Sequence, residues 1–432
     1  MPREFPSIAI GGRRVAEDVP PFVLDEIGIN HGGSVDRAVA LVEAAGRAGA
    51  HGIKLQTIVA RDLVSDGTPG PAHVRAGSLI EFFQRFELDE KAHKLIFEKA
   101  RALRLKVVST PFSERSVDML VRLGVDALKI ASGDLTFDQL IKKCAASGKP
   151  TVMSTGMATL DEVEEALSVL AFGYTSSDSP SRDRIGAVWR TPPARAVLQG
   201  KVVLLHCTTE YPTPPEGVNL KAMDTLHAAF GLPVGYSDHT LGIDIAVAAV
   251  ARGAVMLEKH LTLDRKRIGP DHAASLEPEE FGRMVAAVRD VERSLGDGRK
   301  QPQPVEIKNM AIARKALVAA RPIAAGETFS RENLTAKRPA HGLPPIALWD
   351  LVGRTAHRAY AVDEAIARLG RVDVLVNALG DSIRKPLVAL PGSAGAGTQI
   401  ADADLRFIMD INLTEALLVT RAVGPHMLAR GS

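Results

Sequence analysis

The chain has 432 residues, 46% of them hydrophobic and 24% charged, with a formal net charge of +2. Those proportions belong to an ordinary globular protein with room for two or three domains, and they exclude a disordered or collagen-like chain. With no dominant basic run there is no reason to expect a nucleic-acid partner. Two cysteines, Cys144 and Cys207, far apart in sequence, exclude a disulfide framework and fit a reducing compartment. The start MPREFPS lacks the apolar core of a signal peptide, and the run Ile245 to Leu257, broken by Arg252, is too short to cross a bilayer. A cytoplasmic enzyme with no membrane attachment is expected.

Residues 1–20 predict a lead-in strand or hairpin turning at Gly11-Gly12. From there one pattern recurs eight times: an apolar run, a polar ending, then in most cases a helical stretch. The runs are VLDEIGIN (Val23–Asn30), GIKLQT (Gly52–Thr57), KVVSTPF (Lys106–Phe112), ALKIASGD (Ala127–Asp134) and PTVMSTGM (Pro150–Met157), followed by VVLLHCTTEYP (Val202–Pro212), PVGYSDHT from Pro233 and VMLEKHLT from Val255. Helical patterns fill Val35–Ala50, Asp89–Leu103, Ser116–Leu123 and Thr159–Leu170. Eight such units predict an α/β fold, a closed (β/α)8 TIM barrel with helices outside and the site at the C-terminal ends of the strands. Glu26, Lys54, Ser109, Lys129, Ser132, Asp134, Ser154, Tyr211, His239 and His260 fall there.

A carboxylate such as Glu26 in a barrel mouth is costly to bury without a partner, which points to chemistry. His31, just beyond it, fits a helix cap as well as catalysis. Lys54 and Lys129 sit within apolar strands and must meet an anion. Ser109-Thr110, Ser132-Gly133 and Ser154-Thr155-Gly156 add small donors; each fits a helix cap alone, but together with two lysines they suggest a phosphate cradle. His239 and His260 close two neighbouring strands. Converging, they can hold a divalent metal; otherwise each caps a helix or bonds a carbonyl.

Residues 172–195 read as a surface loop or short helix, and Asp271 in GPDH lies near the mouth. The helix Glu279–Leu295 should end a first domain of residues 1–296. A linker (297–308, GDGRKQPQP at its start) and a small, mostly irregular β-rich unit (309–366) follow.

Taken together, these motifs resemble the sialic acid synthase family, a barrel followed by an antifreeze-like (SAF) domain. The likeness runs from residue 20 to about 366. It is carried by Glu26 with IGINHGG, Lys54 with Gln56, STPF, KIASGD, STGM, HCTTEYPTP, SDHT, EKH, GPDH and, in the second domain, KRPAHG at Lys337–Gly342. The resemblance implies condensation of phosphoenolpyruvate with an open-chain N-acyl hexosamine, N-acetylmannosamine or a di-N-acyl trideoxy hexose, to a nonulosonic (sialic-type) acid and phosphate. It implies His239 and His260 as ligands of Mn2+ or Mg2+, and Glu26 and Asp134 as acid/base carboxylates. Lys54, Thr110, Lys129, Ser132, Ser154 and Ser237 match positions for phosphate and carboxylate, with Thr209 beside them. Tyr211 and Asp271 match sugar contacts, and Arg338 reaches a partner's site in a domain-swapped homodimer. Asp134 stands where many relatives carry Glu, Thr209 where Asn is frequent, and Ala340 where Gly is frequent.

The last stretch, 367–432, resembles part of a short-chain dehydrogenase: ARLGRVDVLVNALG with Asn377 and Gly380, then a helix with Asn412. It lacks a Gly-rich nucleotide loop and reads as a partial Rossmann-like, non-catalytic fragment. Two further readings stay open. One is a synthase of another 3-deoxy sugar acid from a phosphorylated aldose. The other is a catalytically silent fusion acting in binding or assembly.

Overall fold

The computed structural model describes residues 5–69, 77–338 and 342–366. The dehydrogenase-like stretch with Asn377, Gly380 and Asn412 lies outside the described residues. The chain divides after Arg299 into two compact units.

In the first unit, strands β1 (Ile8–Ile10) and β2 (Arg13–Val15) form the predicted antiparallel hairpin. The barrel strands are β3 (Phe22–Gly28), β4 (Gly52–Thr57), β5 (Lys106–Pro111), β6 (Ala127–Ile130), β7 (Thr151–Ser154), β8 (Val202–His206), β9 (Val234–Asp238) and β10 (Met256–His260). All pair in parallel, and β10 closes onto β3, so the barrel is complete. Strand alternation then sorts the residues. Phe22, Leu24, Val108, Val152, Val203, Leu205 and Met256 fill the barrel interior together with Ile8, Ile10 and Val15 of the hairpin. Val23, Ile27, Ile53, Leu55, Leu128 and Leu257 face outward into the larger core shared with the helices.

The helices start where the sequence supplies caps. Ser34, Asp89, Ser113 and Thr159 each accept a backbone N–H of the first turn through the side chain. The structure departs from expectation in two places. The stretch expected as a loop or short helix ends in two helices, Arg182–Trp189 and Pro192–Gln199. Ser181 caps the first and Pro192 opens the second, local signals that the lack of an apolar period hides. The expected linker contains the start of a helix, Pro304–Ala313, with Pro at its first turn and a Gln303–Glu306 capping box.

The second unit holds that helix and an antiparallel pair, β11 (Ala316–Ala319) and β12 (Leu334–Lys337). Short bridges at Val318–Ala365, Ile323–Tyr360 and Thr328–Thr355 replace long strands. Leu317, Ile323, Phe329, Leu334, Leu343, Ala356, Tyr360 and Ile366 form its own small core. Among the described residues no helix is long and apolar enough to cross a membrane.

Candidate active site

The strand ends enclose a cavity of about 610 Å³ lined by Glu26, Lys54, Thr110, Lys129, Ser132, Asp134, Ser154, Thr209, Tyr211, Ser237, His239 and His260. Twelve of the fourteen site residues implied by the resemblance therefore meet on one surface. Asp271 stands behind His260, its Oδ2 3.8 Å from His260 Nδ1. Arg338 belongs to the second unit, where it is exposed.

Each inward position follows from strand alternation. On β3, Leu24 faces the interior and Glu26 comes next on the same side. The strand then breaks register between Glu26 and Gly28. Gly28 has φ +51°, and a Cβ there would lie 2.9 Å from Glu26 Oε1, so glycine is needed for both backbone and space. On β5 the same alternation sends Thr110 inward and Ser109 outward. Ser109 Oγ bonds Leu55 O and Thr57 Oγ1 in the outer layer; its expected place in the phosphate cradle is corrected on that ground. His31 lies buried with Nδ1 accepting from Gly33 N at 3.0 Å, a local turn contact and no part of the cavity lining.

The sequence predicts an external anion for Lys54; the protein already supplies an internal one. Its Nζ lies 2.8 Å from Glu26 Oε2, 3.8 Å from Glu258 Oε2 and 3.4 Å from Thr110 Oγ1. Glu26 Oε1 accepts from Gln56 Nε2 at 3.0 Å, and Glu258 Oε1 accepts from Ser237 Oγ at 2.8 Å. Lys129 Nζ donates to Ser154 Oγ at 2.6 Å and to Ile130 O at 3.0 Å. Across the floor, Gly156 N donates to Ser132 Oγ, which touches Cys207 Sγ at 3.1 Å. A Cβ at Gly156 would lie 2.5 Å from Thr209 Oγ1, so glycine leaves this corner open.

Burial shapes the ionisation. It pushes Glu26 up to about 7 against the pull of Lys54, and raises Asp134 and Asp271 to about 6 each. Glu258 is buried too, but Lys54 and Lys129 outweigh that cost and hold it below the usual carboxylate range. Desolvation lowers Lys129, while the flanking carboxylates keep Lys54 raised despite its burial. Burial also lowers His239 and, with His239 beside it, takes His260 well below its ordinary value. Both imidazoles are neutral at physiological pH, the form that ligates a metal.

The two rings lie close together. The ring centroids lie 5.6 Å apart, and the Tyr211 ring covers His239 at 4.1 Å. His239 Nδ1 bonds Thr208 O at 2.7 Å, leaving Nε2 near Ser237 Oγ at 3.4 Å. His260 Nδ1 is buried without a hydrogen-bond partner. Among the described residues no group of three or more His, Cys, Asp or Glu forms a metal cage; an ion here would rest on His239 and His260 as its protein ligands.

The NeuB family model matches residues 41–300 and the SAF domain model residues 314–366. The chain belongs to the NeuB family. It is 41% identical over 350 residues to the N,N'-diacetyllegionaminic acid synthase of Campylobacter jejuni, covering 80% of this chain and 98% of that one. The pseudaminic acid synthase of the same organism is 32% identical over 354 residues, covering 81% and 96%. A solved N-acetylneuraminic acid (sialic acid) synthetase from Leptospira borgpetersenii, in complex with citrate, superposes with a TM-score of 0.60 at 29% identity. It covers 70% of this chain and 95% of that one. This NeuB-family chain is thus an enzyme of the sialic-, legionaminic- and pseudaminic-acid synthase class.

Three features of the site are not among the sequence expectations. Glu258 carries a readable signal, since strand period two places it inward with His260. Cys207 has only its position after β8. Leu63, Val64, Leu79 and Phe83 form an apolar flank of the cavity from the segment between β4 and β5, the last two one turn apart on the short helix Leu79–Gln84.

Proposed function

We propose that this enzyme condenses phosphoenolpyruvate with the open-chain aldehyde of an N-acyl hexosamine, giving a nonulosonic acid and inorganic phosphate. The observation that carries the reading is the meeting of two neutral imidazoles with two buried ammonium groups in one cavity. Lys54, Lys129, Thr110, Ser132, Ser154 and Ser237 bind and orient the phosphate and carboxylate of phosphoenolpyruvate. His239 and His260 would hold a divalent cation, Mn2+ or Mg2+, which when bound would polarise the aldehyde oxygen as a Lewis acid. The enol methylene forms the new bond to the aldehyde carbon, water adds to the carbon bearing phosphate, and the tetrahedral intermediate loses phosphate by C–O cleavage. Asp134, titrating near 6, is ionised at neutral pH and takes a proton from that water. Glu26, titrating near 7, carries a proton in about half of the molecules at neutral pH, and in that form it returns the proton to the new alkoxide, while Glu258 remains the carboxylate beside Lys54. Tyr211 contacts the sugar; Asp271, expected beside it, stands behind His260 and outside the cavity lining.

The acceptor is an unphosphorylated sugar in this proposal, N-acetylmannosamine or a di-N-acyl trideoxy hexose. Among the described residues lining the cavity, Lys54 and Lys129 are the only lysines or arginines, and both are committed to phosphoenolpyruvate. The working unit is a homodimer in which Arg338 completes a partner's site. The exposed Val305, Ile307 and Ile312 on the helix Pro304–Ala313 supply apolar surface for such an assembly. The buried free thiols Cys144 and Cys207 fit the cytoplasm.

The test is phosphate release from phosphoenolpyruvate, with and without Mn2+, on addition of each sugar. Metal-dependent release with an N-acyl hexosamine supports the proposal; release only with a phosphorylated aldose, or with no sugar at all, overturns it.

A further inference from the structure

If His239 and His260 ligate a metal, as proposed above, something must hold the two rings in place. Each follows a residue whose side chain turns away from the cavity, Asp238 and Lys259. On the outer face of the barrel these two meet. Lys259 Nζ donates to Asp238 Oδ2 at 2.8 Å and also to Thr240 O. Asp238 Oδ1 accepts from Thr240 N at 2.9 Å and from Thr240 Oγ1 at 2.8 Å. Both charged side chains are 0% exposed. Lys259 and Asp238 are also direct partners in the β10–β9 register. The ion pair therefore joins the two histidine strands one residue before each imidazole, and Thr240 secures the chain one residue after His239.

Lys259 has a second acidic neighbour. Asp25 is its partner in the register with β3, is fully buried, and has no hydrogen-bond partner at either carboxyl oxygen. The lysine thus bonds to the strand carrying the other histidine and leaves the remaining carboxyl alone. Buried ion pairs are often no more stabilising than apolar side chains of similar volume. What they add is a fixed direction and distance. We propose that the Asp238–Lys259 pair is a positioning clamp that sets the separation and aim of His239 and His260 for one divalent cation, a role that rests on the metal reading of those histidines.

The test is calorimetric titration with Mn2+ alone, paired with thermal unfolding, on the full chain and three variants. Lys259→Met leaves Asp238 buried and uncompensated; it should melt earlier and bind Mn2+ at least about tenfold more weakly. Lys259→Met combined with Asp238→Leu replaces the pair by apolar groups. Its melting temperature should recover while Mn2+ affinity stays weakened, and it serves also where the single variant fails to fold. Asp25→Asn should bind Mn2+ as the parent does. Recovery of affinity together with stability in the double variant, or an equal loss in Asp25→Asn, would overturn the clamp. A parent protein that binds no Mn2+ overturns the metal reading itself and takes the clamp with it.

Discussion

Lys54 and Lys259 are both buried in the barrel wall, one facing the mouth and the other the helices, and they are neutralised in opposite ways. Lys54 is shared between Glu26 at 2.8 Å and Glu258 at 3.8 Å, with Thr110 beyond, along an open cavity. Lys259 is bound by Asp238 and the Thr240 carbonyl in a sealed layer. A charge that has to change partners during a reaction sits among several at uneven distances. A charge that fastens two strands is held at short range by a single carboxylate and a backbone carbonyl. The same residue type serves chemistry on one face of the wall and geometry on the other.

Breaking the mouth side should show first in activity. Lys54→Met removes an ammonium from the phosphate cradle, and phosphate release should fall on the order of a thousand-fold. The melting temperature should fall less than in Lys259→Met, because Glu26 already titrates near 7 and Lys129 still faces Glu258 once Lys54 is gone. Steady-state assays beside thermal melts check both halves; a large stability loss with retained activity would put Lys54 in the same class as Lys259.

The proposed reach of Arg338 into a partner allows a sharper cut. Arg338→Ala alone should lower activity by about a hundred-fold. Mixing it with an inactive His260→Ala protein, under conditions that exchange subunits, should restore part of the activity. Each mixed dimer then holds one intact barrel faced by one intact arginine. No recovery on mixing would place Arg338 outside the partner's site.

Gly28→Ala tests how tightly the mouth is built. The positive φ and the 2.9 Å approach to Glu26 Oε1 should cost about 1–2 kcal/mol, read by chemical denaturation, with a matching shift of the Glu26 carboxyl. The smallest expected effect is a pH slope. Glu26 titrates at about 7 when folded against 4.5 in the open chain. The folded state keeps a proton that the unfolded state has lost, so this group's contribution to stability is complete below about 4.5 and is lost as pH rises through 7. Glu26→Gln should flatten the decline of stability over that window, measured by denaturant melts at stepped pH.

Much of the first unit is legible in the sequence because two signals coincide at each strand end. An apolar run of strand length stops at a polar residue, and a helix-capping residue often follows, as at Ser34 and Ser113. Alternation then tells which polar residues face inward, and Glu26, Lys54, Thr110 and His260 all obey it. The expectations fail where they ignore alternation. Ser109 cannot join the cradle when its neighbour Thr110 already holds the inward position, and Glu258 belongs to the site because it shares a face with His260. The apolar flank of Leu63, Val64, Leu79 and Phe83 lies on and beside two short helices, Ala60–Leu63 and Leu79–Gln84; Leu79 and Phe83 share a helix face, but helices this short give too few turns to show which face meets the cavity. The helix Pro304–Ala313 is obscured by the Pro- and Gly-rich residues before it, which mark a linker and a helix start alike.

A crystal structure with Mn2+ and phosphoenolpyruvate bound, the ion located by its anomalous scattering, would decide whether the two histidines and the two lysines form one site. One manganese peak is expected between the rings of His239 and His260, with the phosphate within hydrogen-bonding reach of Lys54 and Lys129. A manganese site elsewhere, or phosphoenolpyruvate bound away from both lysines, would contradict the proposed chemistry.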